Sequence, residues 1–185
     1  VFTIFPNSPE VRNFIYTILV KIFKQDLLGK NSAMEKLVDE TTRLFPQSFI
    51  LKSSVLWSKE PRWGGSYKQM EEFAKKSQKT VDKNPKLSTL YGMIYYDQAR
   101  RFRARGDHGT ALNLLEKALK FGDHWAFYDE QAEIYLYDLK IFDNALKAAT
   151  KSAELRPPIY RTRLGLSKIH YARGDYPLSI DDLKT

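Results

Sequence analysis

Two glycine–aspartate pairs, Gly106-Asp107 and Gly174-Asp175, stand twice 34 residues apart, and Lys140-Ile141-Phe142 sits midway between them. Each of the three triplets, Gly106-Asp107-His108, Lys140-Ile141-Phe142 and Gly174-Asp175-Tyr176, precedes a helical apolar run. After the first come Ala111, Leu115 and Ala118; after the second, Ala145, Ala149 and Ser152; after the third, Ser179 and Leu183. Offsets of four and three put these residues on one face of a helix. Small residues at the ends of that spacing let two helix backbones approach closely. A fixed period of about 34 residues is the mark of stacked helical hairpins, each unable to bury its own apolar face.

The helices before each triplet keep the same rhythm. Tyr95, Ala99 and Phe102 precede the first. Tyr128, Ala132 and Tyr135 precede the second, with one extra residue in the following turn. Leu166, Ser167 and His170 precede the third. Gly122-Asp123 and Arg156-Pro157-Pro158 break the chain between units, and no proline pair continues a helix. The first half is less regular. Ser8-Pro9 starts a helix, Ser32 with Glu35 forms a capping box, and Pro46 and Pro61 each close a segment. Ser66 with Gln69 opens a further helix whose Met70, Ala74 and Ser77 repeat the four-then-three spacing. The pattern predicts helices near 9–29, 32–45, 47–60, 66–83, 87–105, 108–121, 125–139, 141–155, 158–173 and 176–185. No alternating strand pattern competes with them.

Residues 92–125 carry Tyr95, Ala99, Phe102, Ala111, Leu115 and Ala118 in the order of the 34-residue tetratricopeptide (TPR) pattern, W-x2-L-G-x2-Y followed by A-x3-F-x2-A and then P. Residues 126–159 match at Ala145, Ser152 and Pro157, and 160–185 at Gly174, Asp175 and Tyr176. The chain resembles the TPR family. The resemblance implies an all-α fold, a right-handed α-α superhelix of about five hairpins forming a single domain over 1–185. Its irregular hairpins would be 9–45 and 47–83, and its regular units 92–125, 126–159 and a truncated 160–185. In that family the first helix of each hairpin lines a concave groove. The matching positions are Met93, Tyr96, Asp97, Arg100 and Arg103, then Asp129, Glu130 and Glu133, then Arg161, Leu164 and Lys168. Family members that bind chaperone tails use a lysine–asparagine–lysine–arginine clamp. This chain departs from it at Tyr96, Asp97 and Leu164. The end at Thr185 falls within a hairpin, so exposure of Leu178, Ile180 or Leu183 is expected if a further repeat is missing.

Pro61-Arg62-Trp63-Gly64-Gly65-Ser66 interrupts the second hairpin. It is similar to a P-R-W-G-G-S segment of an uncharacterised bacterial family of TPR-like proteins. Two readings stand side by side. Trp63 fills a core gap while Gly64 and Gly65 make the turn, or Arg62, the loop backbone and Ser66 hold an anion or a peptide carboxylate.

Composition removes several chemistries. The 185 residues contain no cysteine and three histidines, and no His-x3-His pairing, so no zinc site is expected. There is no phosphate-loop glycine motif and no nucleophile elbow. Neighbouring acids such as Asp129-Glu130 and Asp181-Asp182 diverge by about 100° on a helix, and the expectation is that water solvates them. The net charge of +8 is concentrated. Residues 51–90 hold nine basic and four acidic side chains, with Lys68, Lys75, Lys76, Lys79, Lys83 and Lys86 among them, and Arg100, Arg101, Arg103 and Arg105 follow. The expected function is a non-catalytic scaffold, without cofactor or metal, that binds a protein or peptide partner. A nucleic-acid-binding repeat using clusters 68–86 and 100–105 is the alternative. An enzyme or ligand-binding protein with a site at Trp63-Gly64-Gly65 is the third.

Overall fold

The computed structural model describes residues 38–40, 42–156 and 160–184, with the side chains of 160–162 outside that set. The helix expected over 9–29, residues 32–37 of the next, and Pro157-Pro158 lie outside the described residues. Everything described is helix, turn or loop, with no strand among the described residues. The chain divides into two compact units, Val1–Ile94 and Tyr95–Thr185.

In the first unit, residues 38–40 and 42–44 are helical and α1 spans Phe49–Ser58. The Ser48 hydroxyl caps α1, accepting from the Leu51 amide at 3.3 Å. The helix ends before Pro61, whose ring disfavours helical geometry in the residue ahead of it. α2 spans Tyr67–Ser77 and opens on Ser66, which accepts from the Gln69 amide at 3.2 Å. Its buried stripe is Met70, Ala74 and Ser77, the residues the spacing marks. It stops six residues short of the expected 83. A 3-10 turn over Gln78–Thr80 follows, and the Gln78 side-chain Nε2 donates to the carbonyls of Ala74 and Leu87. α1 and α2 form a hairpin closed at its open end. Thr80 donates to the Pro46 carbonyl, and Asn84 to that of Gln47, both at 2.7 Å. Leu51 and Val55 form its core with Val38, Phe45 and Phe73.

α3 covers Thr89–Arg103, and the division between the units falls within it. In the second unit α4 spans His108–Leu119, α5 Trp125–Glu133, α6 Phe142–Leu155, α7 Tyr160–Arg173 and α8 Tyr176–Asp181. α5 is continued by one π turn, Ile134–Asp138. α5 packs on α6, α6 on α7 and α7 on α8. Ala145, Ala148 and Ala149 of α6 lie under Ala132, Leu136 and Ile169. Those alanines are the small residues that close approach of the helices requires.

The period is visible in the backbone. Gly106, Lys140 and Gly174 all take left-handed angles, with φ of 81°, 59° and 86°. After Gly106 and Gly174 the next amide donates five residues back, Asp107 to Phe102 at 3.0 Å and Asp175 to His170 at 2.9 Å. After Lys140 it reaches six back, Ile141 to Tyr135 at 2.8 Å. The extra residue expected in that turn is thus held inside the helix, in the π turn. Asp107 caps α4 by accepting from the Thr110 amide at 3.0 Å, whereas Ile141 has no side chain able to do the same for α6.

Candidate functional site

Arg103 closes α3 and faces α5 and its π turn. Its Nη1 donates to Glu133 at 2.7 Å and to Glu130 at 3.0 Å, and its Nε to Asp138 at 2.7 Å. Glu130 is only 7% exposed. Burial pushes its carboxyl above the ordinary 4.5, and Arg103 pulls it part of the way back. Burial also works against the Arg103 charge, but the three carboxylates more than offset this and raise its pKa above the ordinary value. Glu130 was expected to be a solvated charge beside Asp129. Instead the 100° divergence of adjacent helical residues sends the two in different directions. Asp129 takes the Ser152 hydroxyl of α6 and lies 3.7 Å from Arg156. Arg156 in turn lies 3.9 Å over the Trp125 ring.

Other predicted groove positions are also engaged. Arg100 lies over the Tyr96 ring at 5.7 Å and 3.8 Å from Glu130. Tyr96 packs on Phe127, and burial lifts its hydroxyl to about 12. Asp97, 4% exposed, pairs with Arg101 one turn on at 3.0 Å. Met93 is 3% exposed and belongs to the core. Neither Met93 nor Asp97 presents a free surface to a partner. The reason is the same for both: their helix buries a wider stripe than the repeat pattern marks. The side chain of Arg161 lies outside the described residues.

Asp129, Glu133, Leu164 and Lys168 do come together. They edge a hollow of about 190 Å³ between α5, α6 and α7. Its floor is Ala132, Leu136, Ala149 and Ile169, and Tyr137 and Arg156 complete the rim. Typical small-molecule sites are ~300–1,000 Å³, so this hollow is smaller than such a site.

The Pro61–Ser66 loop is closed on itself. Arg62 Nε bonds the buried Glu60 carboxylate. The amides of Trp63 and Gly65 donate to the Glu60 carbonyl, and that of Gly64 to Pro61. Gly64 needs its φ of 82°, and a Cβ on Gly65 would lie 2.1 Å from the Lys59 carbonyl oxygen. Ser66 is committed to capping α2. Trp63 does not fill the core as one reading expected. It is 46% exposed, with the Arg62 guanidinium 5.6 Å above its ring. The short 3-10 turn leaves the indole outside the hairpin.

Sequence reasoning missed Lys52. It lies inside the apolar run of α1, beside Leu51 and one turn from Val55 and Leu56, and is buried with them. A lysine on that stripe was the only signal. Of the histidines, His124 caps α5 through Nδ1, accepting from the Ala126 amide at 3.2 Å, and His170 bonds Asp182 at 2.7 Å. No group of three or more metal-ligating side chains occurs among the described residues. Among them, too, no helix is long and apolar enough to cross a membrane. No family model matches the chain, and no curated protein matches it.

Proposed function

We propose that this chain is a non-catalytic interaction module of TPR-like design, which grips an extended peptide along α5 and α7. The supporting observation is the hollow between α5, α6 and α7, with an apolar floor, a charged rim and room for one side chain. Stacked hairpins leave such a face between their first helices. A peptide would place an aliphatic side chain over Ala149 and Ile169 and an acidic one beside Lys168. The nucleic-acid reading loses support in this unit, because Arg100, Arg101 and Arg103 already face carboxylates.

Panning a peptide display library on the full chain tests the reading. The expected winners pair an aliphatic with an acidic residue. Leu164→Asp or Lys168→Glu should weaken them about tenfold, and Thr150→Asp, exposed on α6 and outside the hollow, should not. Peptides that bind Leu164→Asp as well as the parent sink the groove assignment.

A further inference from the structure

The first unit holds a cavity of its own. A cleft of about 610 Å³ lies between residues 38–40 and 42–46, α1 and α2, and its size is that of a small-molecule site. Its cations are Arg43, Lys52, Lys59, Lys76 and Lys79. Among the described residues, two carboxylates, Asp39 and Glu72, share the walls.

Lys52 distinguishes this cleft from an ordinary basic surface. The residue is 5% exposed, yet no carboxylate lies within ion-pair distance of its ammonium among the described residues. Among the described residues its Nζ has only neutral oxygens as partners, Thr80 Oγ1 at 3.2 Å and the Ser77 carbonyl at 3.5 Å. An ammonium has three N–H donors, so one is not taken up by the described residues. Lysines are almost never buried unless paired, because the lost hydration must be replaced. Four further cations line the same space. A single carboxylate would pair with one of them, whereas a multiply charged oxyanion neutralises several at once. Lysine is a common point-charge binder of phosphate.

We propose that this cleft binds a small phosphate-bearing anion, with a phosphate oxygen accepting from Lys52 Nζ and Lys76 and Lys79 closing over its outer charge. The lowered pKa of Lys52, caused by burial, agrees with a charge whose counter-ion is a ligand.

Calorimetric titration of the full chain with inorganic pyrophosphate, at low ionic strength, tests the assignment. One site per chain is expected. Lys52→Met should weaken it about tenfold or more, the scale of a lost hydrogen bond to a charged group. It should leave cooperative unfolding intact, since methionine fills the same apolar stripe. The exposed pair Lys76→Ala and Lys79→Ala, which does not touch the core, should weaken it several-fold and serves if Lys52→Met does not fold. Lys75→Ala with Lys83→Ala, outside the cleft, should leave it unchanged. Vesicles of phosphatidylcholine, with and without a phosphatidylinositol phosphate, separate the two sources of the group. Lys52-dependent sedimentation with the charged vesicles alone assigns a headgroup; its absence assigns a soluble phosphate ester. The proposal is overturned if pyrophosphate does not bind, if citrate binds more tightly, or if the outside pair weakens binding as much as Lys52→Met. Binding of a short single-stranded RNA with no effect of Lys52→Met, and none of pyrophosphate, overturns it in favour of a diffuse basic face.

Discussion

Arg103 of α3 bonds Glu130 of α5 at 3.0 Å, joining the end of one hairpin's first helix to the middle of the next. Glu130 is the more buried partner, so removing the arginine leaves a carboxylate with little water. Arg103→Met should destabilise the chain by about 2–3 kcal/mol, below the full cost of a broken buried pair because Arg103 keeps some solvent contact. Urea unfolding measures this. The pH dependence carries a sign. The folded pKa of Glu130 is raised above 4.5, so its contribution to stability is full below about 4.5 and is lost as pH rises through the raised value. Without Arg103 the rise is larger. The deficit of Arg103→Met should therefore shrink as pH is lowered toward 4.5, and a deficit that grows there contradicts the assignment.

Lys52 runs the other way. Its folded pKa lies below 10.5, so the folded chain holds its proton less tightly than the unfolded one. The cost of the buried ammonium is present at neutral pH and disappears as pH climbs toward 10.5. Lys52→Met should stabilise the ligand-free chain at neutral pH by up to about 1 kcal/mol. The gap from the parent should narrow as pH climbs toward 10.5. Thermal melts across that range decide it.

The two loop glycines differ in kind. Gly64 needs only a left-handed backbone, so Gly64→Ala should cost about 1 kcal/mol. At Gly65 a Cβ meets backbone, the Lys59 carbonyl, and cannot be accommodated by a rotamer change. Gly65→Ala should cost about 2–3 kcal/mol. Chemical denaturation that ranks Gly64→Ala as the worse of the two refutes this account.

Lys140 stands in a glycine's place. Its φ of 59° is a conformation in which Cβ crowds the backbone. Lys140→Gly should raise stability by about 0.5 kcal/mol, the strain relieved being partly offset by the freer unfolded chain. Gly106→Lys should lower it by about 1 kcal/mol. Differential scanning of both against the parent checks the pair.

Helices and buried stripes were legible because both follow from local period: Met70, Ala74 and Ser77, or Ala111, Leu115 and Ala118, need only a helix with one covered side. The ion network was not. Arg103 finds partners 27 to 35 residues away, at a distance set by how hairpins lie against each other. Local spacing carries no information about that arrangement. The two acids Asp129 and Glu130 look alike in sequence, and only the positions of α6 and α3 separate their roles. Trp63 was misplaced because a large aromatic beside glycines is usually a plug, while a turn this short holds it outside. Lys52 was hidden by its own neighbours, one polar letter in an apolar run.

The π turn of Ile134–Asp138 bears on how such a chain tolerates change. Tyr135 comes 33 positions after Phe102, and His170 comes 35 after Tyr135. One unit is short by a residue and the next helix is long by one, so Gly106, Lys140 and Gly174 stay evenly spaced. In a crystal this would be a dislocation healed within one layer. The misfit is confined to a single loop of backbone, and the hairpins on either side remain in phase. An inserted or deleted residue near position 136 is therefore a local event, and the ordering of everything downstream survives it.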